Sequence, residues 1–227
     1  MKFKVLLIAR QNDKFSRKVC NFLKTKSSVK VFFTTKNNYR NRKKFFKKKY
    51  DFIICYRAYM ILKKSELLKA RIASINIHPG PPEYRGIGCL NYALYNNEKF
   101  YGLTIHLMNT KIDNGDILFV KRFNILRNDD VDSLLTKTHN YCVRYIKKIM
   151  SLIFLNVTNI QTLKNKHKKF KWSKKIYNRK YFEKFYEIKI DKNIQTKLFN
   201  KIRSTYYKNY KPYIVLNKKK FILNEKK

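Results

Sequence analysis

Glycine and proline are scarce in this chain, at five and four among 227 residues. With so few positions free to take φ > 0 or locked near −65°, most of the backbone must follow ordinary helix and strand geometry. All five glycines and three of the four prolines lie within residues 76–116, which marks that stretch as specially shaped. Acidic side chains are also few, 14 against 54 Lys and Arg, for a net charge of +40. The four cysteines, Cys20, Cys55, Cys89 and Cys142, form no Cys-x-x-Cys pair. That argues against a zinc site or a redox motif and for buried structural thiols. No apolar run approaches the ~20 residues of a membrane span, and VLLIA at 5–9 is shorter than a secretory core of about 7–15. The expectation is a soluble, cytoplasmic protein with no membrane partner and no metal.

The charge has two explanations. A basic surface steers polyanions such as tRNA or a nucleotide diphosphate. Alternatively, Lys, which far outnumbers Arg and is spread along the whole chain, reflects compositional drift in an A+T-rich genome. Runs such as Lys47 to Lys49 and Lys218 to Lys220 read as solvated faces and do not by themselves establish nucleic-acid binding.

The length suits one core domain of about 100–200 residues plus a smaller appendage. KFKVLLIA reads as a buried strand, and Val19, Phe22 and Leu23 repeat at helical spacing behind it. VKVFFTT and YDFIICY are two further strands, separated by a basic loop or exposed helix. A helix is expected over Ser65 to Arg71, then a strand, ASINIH, ending at His78. This alternation predicts an α/β fold with a mostly parallel sheet, whose ligands sit at the carboxyl ends of strands, where Tyr56 and His78 fall. Further on, Cys89 to Tyr95 reads as a short helix, and YGLTIHLMN and GDILFVKRFNI as strands joined by a turn at Thr110 to Gly115. Asp129, Asp130 and Asp132 open a long helix with Leu135, Cys142, Ile146, Ile149 and Ile153 on its apolar face. These elements divide the chain into a core domain, 1–155, and a basic, aromatic extension, 156–227, with helix and a closing β-hairpin at PYIVLNKKKFIL.

Asn76 and His78 are two apart on a strand, so both point to one face at its carboxyl end. The Pro-Gly-Pro-Pro turn then stops the strand and opens that end to a ligand. A neutral amide beside an imidazole can bind a developing oxyanion and move a proton. Asp113, in an Asp-Asn-Gly turn, could orient the imidazole; Asp116 is the alternative carboxylate. A satisfied structural histidine and an ordinary turn are the plainer readings of the same residues.

INIHPGPPEYRG, YGLTIH and KIDNGDIL, in this order across most of residues 50–125, resemble the signature of the folate-dependent formyltransferases. The resemblance implies a Rossmann-like domain that passes the formyl group of 10-formyltetrahydrofolate to an amine. It also implies that Asn76 binds the oxygen of the tetrahedral intermediate, His78 transfers protons and Asp113 holds His78 and an ordered water. His106 would hydrogen-bond structurally or join the chemistry. By the same resemblance, the backbone of Tyr59, Met60, Ile61 and Leu62 would contact the pterin, with Thr110 in the opposite wall; core packing is the other role for those side chains. The loop resembles that of the nucleotide-sugar N-formyltransferases, which act on 4-amino-4,6-dideoxysugars, more than the Ser-Leu-Leu-Pro loop of methionyl-tRNA enzymes. Tyr84 and Pro82 are then sugar-side candidates, with plugging the loop as the alternative for Tyr84. Methionyl-tRNA formylation is the second reading; the charge favours it, while the loop, and a tail expected to be too short for a tRNA domain, oppose it. A formyltetrahydrofolate hydrolase and a non-catalytic RNA-binding relative stand further back, and a second copy of the chain is an allowed partner.

Overall fold

The computed structural model describes residues 2–190 and 194–224. Its central sheet has six strands: β1 (Lys4–Arg10), β2 (Ser28–Thr34), β3 (Tyr50–Tyr56), β4 (Ala70–His78), β6 (Phe100–Leu107) and β7 (Ile117–Asn124), in the order β2-β1-β3-β4-β6-β7. The first four are mutually parallel, whereas β6 runs antiparallel to both β4 and β7. The sheet is thus mostly parallel, as expected. KVLLIAR is buried on both faces, which is why its apolar run is continuous rather than alternating. Helix α1 (Lys14–Lys26) starts where Asp13 accepts the Ser16 N–H at 2.8 Å, a side-chain N-cap.

Two helix expectations are corrected. The helix over Ser65 to Arg71 is only one turn, α2 (Lys64–Leu67), because Ala70 already pairs with Tyr50 of β3. Sheet hydrogen bonds claim those residues in preference to continuing the helix. In the long helix α4 (Val131–Leu155), Leu134 rather than Leu135 belongs to the buried face, four residues before Thr138 and eight before Cys142. Asp130 and Ser133 form its capping box. Helix α3 spans Cys89–Tyr95, and the basic stretch after β2 forms a 3-10 helix, Asn38–Phe45.

Strand alternation sorts the sheet's two faces. Val5, Leu7, Ala9, Ile54, Tyr56, Ile75 and Ile77 pack beneath α1 and α4, against residues such as Val19, Leu23, Ile146 and Ile153. Leu6, Ile8, Ile53 and Cys55 point the other way, toward Phe32, Phe46 and Leu62. Asn76 and His78 alternate with Ile75 and Ile77, so they lie on this second face, beside His106 and Thr104 of β6. That face is apolar over β1 and β3 and turns polar at the ends of β4 and β6. All four cysteines are buried and free.

After α4 the chain forms α5 (Asn159–His167), then β8 (Ile176–Tyr177), which pairs in parallel with the short β5 (Arg85–Gly86). Next come α6 (Arg179–Lys184), α7 (Ile194–Thr205) and the hairpin β9 (Tyr213–Leu216) with β10 (Lys219–Ile222). Asn91 of α3 donates to the Ser204 carbonyl at 2.7 Å, tying α7 to the core. Among the described residues no helix is long and apolar enough to cross a membrane.

The Tyr56 hydroxyl, inside the core, lies 2.8 Å from Nδ1 of His139 on α4. Burial first, and then the charges of Arg57 and Arg10, push the His139 pKa down to about 2. The folded chain therefore holds this ring neutral, while the unfolded chain protonates it below about 6.5. Its contribution to stability is complete above that pH and is lost as pH falls toward the folded value. Urea unfolding of the wild type should show an acid-side loss that His139→Gln lacks, approaching about 1.4 kcal/mol per pH unit below pH 6. Parallel curves for the two proteins would contradict this placement.

Candidate active site

The loop after β4 is stopped by Pro79 and held by β6. Tyr101 donates to the Pro79 carbonyl at 2.9 Å and Thr104 to the Gly80 carbonyl at 2.8 Å. Gly80 is required by proximity: a Cβ there would stand 2.6 Å from His78 Nε2. Gly86 takes φ +94°, and its Cβ would meet the Tyr177 carbonyl oxygen at 2.2 Å. These two glycines thus sit where the loop crowds the histidine and the C-terminal segment.

Asp113 reaches in from the β6–β7 turn with φ +41°, a left-handed conformation that Asp tolerates. Its Oδ2 accepts the Gly86 N–H at 3.0 Å and lies 3.3 Å from His78 Nδ1. Its Oδ1 lies 3.4 Å from Asn76 Nδ2 and 3.6 Å from His106 Nε2. Burial alone would raise its pKa; the neighbouring His78 and His106 rings and the Gly86 N–H outweigh that and hold it well below the usual carboxylate range. The group is an anion despite being buried.

The two imidazoles have defined edges. His78 Nε2 is 2.6 Å from the Tyr84 carbonyl, so this nitrogen carries a proton and donates it. Nδ1 is left facing Asp113. His106 Nδ1 donates to the Leu107 carbonyl at 2.7 Å, which leaves Nε2 to accept from Asn76 Nδ2 at 3.1 Å. The Asn76 amide is thereby oriented from two sides. Asn76 is half-buried, whereas His78, His106 and Asp113 are buried, so access to the cluster is at the amide.

Three participants carried no role in the sequence. Trp172, the only tryptophan, packs edge-to-face on His106 and His78, with centroids 5.0 and 5.9 Å apart, and donates Nε1–H to the Gly115 carbonyl at 2.7 Å. Arg85 is buried and donates to the carbonyls of Ile112 (2.7 Å) and Ser173 (2.8 Å) and to Asn114 Oδ1 (3.1 Å). The third is the tail itself: Ser173 N–H donates to the Pro82 carbonyl at 3.0 Å, beside the β5–β8 pairing. The site scaffold therefore extends past residue 155. Chain distance hides such contacts; a lone Trp and an Arg inside a Tyr-Arg-Gly loop were the available signals.

Other expected residues divide. Tyr84 plugs the loop: its ring stacks on Tyr177 and its hydroxyl is engaged by Glu98 (2.7 Å) and Asn96 (2.9 Å). Pro82 is buried and faces the tail. Asp116 is exposed and pairs with Lys164 at 2.7 Å, outside the cluster. Tyr59 to Leu62 form the irregular segment after β3; Leu62 is in the core, Ile61 is exposed and the Tyr59 N–H is bound by Thr34 Oγ1 at 3.1 Å. Thr110 is exposed in the opposite turn.

An amide, an imidazole and a buried carboxylate converging at a strand end form an arrangement suited to moving an acyl group. Residues 24–150, over half the chain, match the formyl transferase family, and the chain belongs to that family. A methionyl-tRNA formyltransferase of Ehrlichia ruminantium is 34% identical over 40% of this chain and 30% of its own length. The chain spans between a quarter and a third of the length of the first curated relatives it matches. A 4-N formyltransferase from Francisella tularensis has the same fold, with a TM-score of 0.75 over 97% of this chain and 96% of its own at 18% identity. An N-formyltransferase of Helicobacter canadensis, solved with folinic acid and dTDP-3-aminofucose, superposes with a TM-score of 0.69 over 96% and 85% at 20% identity.

Arg85→Ala would remove the donor from three part-buried acceptors and should lower unfolding free energy by about 2 kcal/mol in urea titrations. A change below about 0.5 kcal/mol would show that the guanidinium does not hold these segments together.

Proposed function

We propose that the protein transfers the formyl group of 10-formyltetrahydrofolate to the amino group of a nucleotide-linked 4-amino-4,6-dideoxysugar. The observation that carries this is the Asn76–His78–Asp113 convergence, within a fold shared over nearly its whole length with sugar N-formyltransferases. The Helicobacter neighbour's bound folinic acid and dTDP-3-aminofucose support a folate and a nucleotide-linked amino sugar as the co-substrates. The Pro-Gly-Pro-Pro-Glu-Tyr loop supports a sugar over a tRNA acceptor.

The uncharged amine attacks the formyl carbon, a C–N bond forms, and the carbonyl oxygen gains negative charge. Asn76 Nδ2 exchanges its long 3.4 Å contact with Asp113 for that oxygen, while His106 keeps the amide aimed. The Tyr84 carbonyl fixes the proton on His78 Nε2, so Nδ1, on the Asp113 side, is the edge left to take up the amine proton, relayed by the water that Asp113 would hold. Asp113 then stabilises the imidazolium across 3.3 Å. His78 returns the proton to N10 of the folate as the C–N10 bond breaks, leaving a formamide and tetrahydrofolate. The backbone of Tyr59, Met60, Ile61 and Leu62, outside any strand or helix, is the proposed pterin contact, with Thr110 in the opposite wall.

Purified protein given 10-formyltetrahydrofolate should formylate a dTDP- or GDP-linked 4-amino sugar and leave charged initiator tRNA untouched; the opposite preference would sink the sugar reading. His78→Ala and Asp113→Ala should each lower turnover by about 10²–10⁴, with 5-formyltetrahydrofolate affinity largely kept. Near-normal turnover in either variant would remove that residue from the mechanism.

A further inference from the structure

The rim that carries His78 continues along the sheet into an unbalanced pair of guanidinium groups. Ala9 of β1 pairs with Tyr56 of β3, and Tyr56 with Ile77 of β4. Arg10, Arg57 and His78 are the next residues on the three chains. Neighbouring strands lie about 4.8 Å apart, so the Arg10 backbone is roughly 10 Å from that of His78.

Arg10 stacks over the Tyr59 ring at 4.5 Å, and its buried Nε has no hydrogen-bond partner. Among the described residues no carboxylate lies within ion-pair distance of it. Arg57, with φ +55°, stands 3.7 Å from Asp13 Oδ2, and both side chains are about nine-tenths buried. That carboxylate is committed elsewhere: the same oxygen accepts the Ser16 N–H at 2.8 Å and the Ser16 hydroxyl at 2.7 Å. His139, behind the pair, is neutral. Burial first, and then the charge of Arg57, push the Arg10 pKa down, more than Tyr59 and Asp13 offset. Two partly buried cations share one occupied anion, and an orphaned N–H remains.

We infer that Arg10 and Arg57 bind the diphosphate of the nucleotide-linked acceptor. A guanidinium fork matches phosphate oxygens, and a dianionic group would supply the missing charge and the missing acceptor for Arg10 Nε. The separation fits the proposed acceptor: a 4-amino group lies across the hexose ring from the anomeric diphosphate, and Arg10 stands two strands along the rim from His78. This inference rests on the nucleotide-sugar reading above. The glutamate carboxylates of the folate are the other anionic source, and the test separates the two.

Affinities of Arg10→Gln, Arg57→Gln and Arg10→Lys for inorganic pyrophosphate, dTDP and 5-formyltetrahydrofolate are measured by calorimetry, without any transfer reaction. Each Gln variant should weaken pyrophosphate and dTDP about tenfold or more and leave the folate unchanged, with Arg10→Lys intermediate. The ligand-free Arg10→Gln protein should melt no lower than wild type, because it has lost an uncompensated charge rather than a support. Unchanged diphosphate affinity, a loss confined to the folate, or a large drop in the melting temperature of Arg10→Gln would each overturn the assignment. A protein that binds pyrophosphate through these arginines yet formylates no nucleotide sugar would refute the acceptor reading alone.

Discussion

The Asp113 carboxylate is the point on which the site's geometry depends. One buried anion faces two histidines, an asparagine amide and a backbone N–H, drawn from β4, β6 and the loop at Gly86. Its position is set by three other features: the left-handed turn at residue 113, the Arg85 bonds to Ile112 and Asn114, and the Trp172 bond to Gly115. A buried charge is costly unless its partners are already in place. The tail, the loop and the turn therefore have to be assembled together, and the convergence of Asp113 with Asn76 and His78 follows from that assembly.

The sheet explains how so small a set of polar groups is kept apart from the core. Alternation along β4 sends Ile75 and Ile77 under α4 and Asn76 to the opposite face beside His106. A slip of one residue would bury the amide and expose the isoleucines, so the same hydrophobic pattern that forms the core fixes the register of the site. His106 is then more than a neighbour: its bond to the Leu107 carbonyl determines which ring nitrogen receives the Asn76 amide.

Much of this was legible in the sequence where local physics decides. Continuous apolar runs located β1 and β3, and the capping aspartates placed the start of α4. The spacing of Asn76 and His78 placed two site residues on one face, and the formyltransferase signature supplied Asp113. What escaped was decided by long-range contact. Pairing of Ala70 with Tyr50 shortened the helix expected at 65–71, and the buried face of α4 was misread by one position at Leu134. Trp172 reaches the histidines from a segment nearly sixty residues beyond Asp113. Tyr84 shows the opposite case, a residue singled out for its side chain whose ring turned into the aromatic stack while its carbonyl met His78.

The central claim is that Asp113 acts through His78 and not as an independent charge. A double-mutant cycle on kcat/KM with His78→Ala, Asp113→Ala and the combined variant tests this most directly. The account predicts strong non-additivity, with the double variant no more than a few-fold slower than the worse single. Losses that simply multiply would show that the two residues work separately and would contradict the relay built on Asp113.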